Sequence, residues 1–130
     1  MPSTGMKTLD ALTAKKETEI PVSLIDGGKI RTWPDFVASI NALIPQAQWQ
    51  GRSLDALDDI LYGGYGMPDR FIVVWIASDV SRRALGLEAT RAFYKLPDFQ
   101  QLYEAGQIKT LFEMVVDIFK GHDTIELRLE

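Results

Sequence analysis

The chain has 130 residues, 46% of them apolar and 25% charged, with a net charge of −4. That size and balance suit one globular domain with a real core. The acidic excess argues against direct binding of nucleic acid, which needs a basic face. There is no cysteine, which excludes disulfides, thiol chemistry and cysteine-bound metals. With no secretory signal and no apolar run near the roughly 18 residues of a membrane span, the expectation is a cytoplasmic protein without membrane contact.

Residues 1–18 are polar and include Lys7, Lys15 and Lys16. They are read as an N-terminal extension, either flexible or a short helix around Leu9 and Leu12. A single domain is expected over 19–130. Residues 20–25 alternate apolar with other side chains and predict a strand. Pro21 lacks an N–H and places that strand at a sheet edge. Asp26-Gly27-Gly28 makes a turn. Thr32 then caps a helix, with Pro34 in its first turn and Asp35 completing a capping box. Trp33, Phe36, Val37, Ile40, Leu43 and Ile44 form its apolar stripe, and Pro45 stops it. Trp49 follows in a loop. Beside acidic residues an aromatic has hot-spot composition, and a core lid explains it equally well.

The segment Gly51-Arg52-Ser53-Leu54-Asp55-Ala56-Leu57-Asp58-Asp59-Ile60-Leu61 carries the strongest functional signal. Ser53 is a good N-cap. Leu54, Leu57 and Leu61 fall at helical spacing and predict a core-facing side. Asp55, Asp58 and Asp59 crowd the opposite side at three- and four-residue separations. Like charges so placed cost roughly 0.2–0.5 kcal/mol per pair. The helix dipole favours an acid in the first turn and fades beyond it, so it accounts for Asp55 alone. Arg52 against the three acids leaves −2, half the excess of the chain, which suits a cationic partner. Gly63-Gly64 ends the helix.

Residues 71–76 are apolar without alternation and predict a strand buried on both faces. Helical pieces follow over 80–85, 87–94 and 99–104, broken by Gly86, Pro97 and Gly106. A longer helix over 109–119 places Leu111, Val115 and Ile118 on its core side and ends at Gly121. Residues 124–130 alternate strictly, which predicts a strand with one wet face. Helical crossovers between three strands imply an α/β fold: a small parallel sheet with 71–76 at its centre. His122 is the single histidine and has no second histidine or cysteine with which to hold a metal. Gly63-Gly64-Tyr65-Gly66 lacks the Lys-Ser/Thr of a phosphate loop. No metal or cofactor is expected.

Several of these residues together resemble the barstar family, small intracellular inhibitors of secreted microbial ribonucleases. They are Ile25-Asp26-Gly27-Gly28-Lys29-Ile30, Phe36 and Ile40, Pro45 and Trp49, the run from Gly51 through Leu54-Asp55-Ala56-Leu57 to Asp59, and Trp75. The resemblance implies a three-stranded parallel sheet with helices. It also implies that the acidic helix and the loop before it hold a ribonuclease. Asp59 would enter the active site where a substrate phosphate sits, and Asp55 would be a second anionic contact. Trp49 takes the place of an aromatic that covers the site, Ser53 replaces an Asn contact, and Gly63 matches a small residue. Aromatic residues are common in the family where Asp58 and Gly64 stand here. Tyr62 or Tyr65 is then the candidate for that surface, and Glu113 or Asp117 for an acid late in the last helix. The segment 77–106 is longer than usual in the family.

The expected partner is a secreted or delivered ribonuclease toxin with a cationic active site, bound as a monomer or in a 1:1 complex. The chain would act as a non-catalytic immunity protein. A barstar-like module for another nuclease or a non-nuclease partner is the alternative. An enzyme using paired carboxylates ranks last, because aspartates adjacent on one helix cannot flank a bond.

Overall fold

A computed structural model of the chain describes residues 20–130. The expected N-terminal extension lies outside the described residues. Three parallel strands form one sheet: β1 (Val22–Asp26), β2 (Phe71–Ile76) and β3 (Ile125–Leu129), in the order β1-β2-β3. Six α-helices connect them: α1 (Trp33–Leu43) and α2 (Leu54–Leu61) before β2, then α3 (Ser78–Ala84), α4 (Leu87–Tyr94), α5 (Phe99–Glu104) and α6 (Leu111–Lys120). The α/β class, the parallel sheet and the central place of β2 all agree with the sequence.

Local chemistry explains most boundaries. Thr32 accepts the Asp35 N–H, and Asp35 accepts the Thr32 N–H in return. Thr110 and Glu113 build the same reciprocal cap on α6. Such boxes satisfy two orphan donors of the first turn.

One expectation for β2 is corrected. Its burial alternates: Phe71, Val73 and Trp75 are buried, while Ile72, Val74 and Ile76 are half-buried. The reason is topological. Parallel neighbours need crossovers, and crossovers are right-handed. Two such crossovers stepping the same way across a sheet put their helices on the same face. The second face therefore has no helix from 20–130, and on β1 Val22 and Leu24 are 63% and 60% exposed.

Under the helices, Trp75 stacks on Phe36 at 5.5 Å and meets Phe112 at 5.2 Å. Its indole N–H is satisfied by a buried hydroxyl. Trp75 Nε1 donates to Ser81 Oγ at 2.9 Å, and Ser81 Oγ donates to the Gly27 carbonyl at 3.1 Å. One hydroxyl thus joins the central strand, the middle of α3 and the turn after β1. The approach is tight: a Cβ on Gly27 would lie 2.6 Å from Ser81 Oγ and 2.5 Å from the Ile76 carbonyl. Replacing Ser81 with Ala leaves an indole N–H without an acceptor inside the core. The expected loss is about 1–3 kcal/mol of stability, measured as a lowered urea midpoint at unchanged m-value.

Candidate functional site

The acidic helix α2 is oriented by its apolar side. Leu57, Ile60 and Leu61 are buried in the main core, and Leu54 packs partly against it. Ser53 Oγ accepts the Ala56 N–H at 3.1 Å, the expected N-cap. With those positions fixed, the helical pitch leaves Asp55 and Asp59 in solvent. Neither has a salt bridge or a side-chain hydrogen bond among the described residues, so both charges are free to meet a visitor.

Asp58 is different. Its Oδ1 lies 2.7 Å from Nε2 of His122, 64 residues away, between α6 and β3. The imidazole is buried, and a carboxylate only accepts, so the bond requires the proton on Nε2. Asp58 is thereby half-buried and drawn away from the outward side on which the sequence placed all three acids. One of its oxygens is held by this internal bond while the side chain stays 43% exposed, and α2 gains an anchor just past the end of α6. Tyr62, 76% exposed, sets its ring edge-on to His122 at 4.5 Å. It stands at the C-terminal end of α2, where Gly63 at φ 109° takes a conformation that a side chain would strain.

The loop before α2 is held by side chains rather than by secondary structure. The Asn41 amide grips the Trp49 backbone from both sides: Nδ2 donates to the Trp49 carbonyl and Oδ1 accepts its N–H, each at 2.8 Å. Trp33 Nε1 donates to the Gly51 carbonyl at 2.8 Å, and Trp49 Nε1 donates to that of Ser53 at 3.2 Å. Trp49 itself is only 5% exposed, edge-on to Trp33 and Phe36. Of its two readings, the core lid is the one observed. It still lines an open groove of about 340 Å³ beside Gln48, Gln50, Arg52, Asp59 and Tyr65. Asp59 therefore projects at the lip of a concave surface with a rigid wall.

Tyr94 of α4 stands close enough to Asp55 to sense its charge, unforeseen by the sequence reading. Its hydroxyl lies 3.5 Å from Met114 Sδ. Burial first, and then the Asp55 carboxylate, push the phenol above its ordinary value. Of the two acids considered on α6, Glu113 is consumed by the Thr110 cap. Asp117 is exposed and accepts Lys109 Nζ at 2.6 Å. Among the described residues no cluster of three or more His, Cys, Asp or Glu side chains could hold a metal ion, and no helix is long and apolar enough to cross a membrane.

A family model described as "Barstar (barnase inhibitor)" matches residues 20–117. That span begins just before β1, runs through the acidic helix and ends within α6. No curated protein matches the chain.

The Asp58–His122 bond is expected to couple the two residues energetically. In a double-mutant cycle of Asp58→Ala and His122→Ala, urea unfolding should give an interaction energy above about 0.5 kcal/mol. His122→Ala should be the costlier single change, because it empties a buried position.

Proposed function

The chain belongs to the barstar family, and on that premise we propose that it is a non-catalytic inhibitor of a ribonuclease. It would work as an immunity protein in the cytoplasm of a bacterial cell, against a toxin of its own or of a neighbour. The observation that carries this reading is the pair of unpaired, exposed carboxylates, Asp55 and Asp59, one turn apart on a helix whose other side is locked in the core.

The chemistry is direct. A ribonuclease stabilises charge developing on a phosphate with preorganised cationic and hydrogen-bonding groups. A carboxylate imitates that charge, and its hydrogen bonds to Arg or Lys are about twice as strong as neutral ones. Asp59 would occupy the phosphate pocket and Asp55 would meet a second cation. Ser53 and the edge of Trp49 would frame the contact, with Tyr62 and Gly63 at its far end. Asp58 would support the helix more than it touches the enzyme. Because the loop and helix are ordered by internal hydrogen bonds, little conformational freedom is lost on binding. A 1:1 complex with a toxin active site is the expected stoichiometry.

A second reading keeps the fold and changes the target to another nuclease or a non-nuclease partner. The capture of Asp58 by His122 and the bare backbone at Gly64, where aromatic surface is common in the family, favour it.

Binding to a panel of purified toxin domains, barnase-like ribonucleases among them, separates the two. For the cognate ribonuclease, Asp59→Ala should weaken binding by more than about 2 kcal/mol, or roughly 30-fold in Kd. The association rate should fall steeply as ionic strength rises. A rate indifferent to salt, or a full-affinity Asp59→Ala variant, counts against electrostatic capture.

A further inference from the structure

Arg52 is a cation set among acids. It directly precedes the Ser53 cap of α2, is exposed, and makes no salt bridge among the described residues. Its place does not favour a positive charge, because the N-terminal end of a helix carries a partial positive charge of its own. Asp55, three residues on, does not close on it. Arg52 instead lines the groove beside Trp49, in company with Gln48, Gln50 and Asp59. About 9 Å of helix separates the Ser53 cap from Asp59. One groove thus carries a guanidinium and a carboxylate, set apart rather than paired, with two side-chain amides.

This arrangement constrains the partner. The inference rests on the reading that Asp59 enters the cationic cleft of a ribonuclease. The enzyme surface that meets Asp59 is then brought against Arg52 in the same step. A cleft cationic throughout would set like charge against like, which interfaces penalise. An apolar surface would take the guanidinium out of water with nothing to pair it. We propose that the ribonuclease presents a carboxylate side chain at the edge of its cationic cleft, and that Arg52 binds it and selects for it. A guanidinium matches a carboxylate with two parallel N–H donors, a fit that is geometric as well as electrostatic. Selectivity follows from the same pair. A related ribonuclease with a cation or an apolar side chain at that place leaves Arg52 repelled or unpaired, and is rejected. The chain therefore reads a pattern, negative beside positive, where two acids alone would accept any cationic cleft.

The test measures binding of the full chain to the ribonuclease that the parent chain holds best in a panel of purified toxin domains. Arg52→Gln is expected to raise Kd about tenfold or more, chiefly through faster dissociation, and Arg52→Glu to raise it further. Both variants should keep the urea midpoint of the parent, since the side chain is exposed. Changing the carboxylates at the edge of the enzyme cleft to Arg, one at a time, should yield one enzyme that binds Arg52→Glu better than it binds the parent. Arg52→Gln binding as tightly as the parent, or more tightly, overturns the proposal, since a cleft cationic throughout gains from losing that charge. So does a set of altered enzymes in which none favours Arg52→Glu. Loss of affinity in Asp59→Ala alone, with both Arg52 variants unaffected, overturns this proposal and leaves ribonuclease inhibition standing. A parent chain that holds no ribonuclease of the panel overturns both.

Discussion

The burial of Leu57, Ile60 and Leu61 is the constraint on which the rest of the site depends. An eight-residue helix has little intrinsic stability, so α2 exists because that side is sunk in the core. Once it is sunk, the 100° step of the helix dictates where every other side chain goes. Asp55 and Asp59 need no partner of their own to be aimed; the buried apolar side aims them. The loop clamps at Asn41, Trp33 and Trp49 extend the same rigidity to the concave wall beside Asp59.

The three aspartates also show how a local conflict is eased. Crowded like charges oppose folding of α2, and the dipole relieves only the first of them. His122 draws one oxygen of Asp58 into a hydrogen bond with a buried ring. The remaining repulsion, between Asp55 and Asp59, is left in place. The dipole offsets this cost for Asp55, which stands in the first turn, and no partner among the described residues offsets it for Asp59.

Much of this was legible in the sequence because it is local. The capping box at Thr32 and Asp35, the Ser53 cap, the apolar run of β2 and the alternation of β3 each depend on residues within a few positions of one another. So does the outward projection of Asp55 and Asp59. What was not legible depends on contacts between distant residues. Nothing in the spacing of Asp58 announces His122, and nothing in α4 announces that Tyr94 stands near Asp55. Trp49 could be exposed or buried until the Asn41 amide fixed its backbone. The apolar run of β2 suggested two covered faces, because hydrophobicity reports what a strand would tolerate and the handedness of the crossovers decides what it receives.

The parallel pairing of β1 has a consequence for the birth of the chain. Val22 finds its neighbour only in Ile72, about 50 residues later. A ribosome adding roughly 5–20 residues per second takes roughly 2–10 s to deliver it. Throughout that interval β1 has no strand to bond, and its open amides and carbonyls could template aggregation with another nascent chain. Pro21, which offers no N–H, and the short length of β1 limit that hazard. The strand that anchors one edge of the finished sheet is thus, during translation, the piece of backbone most in need of being kept from strangers.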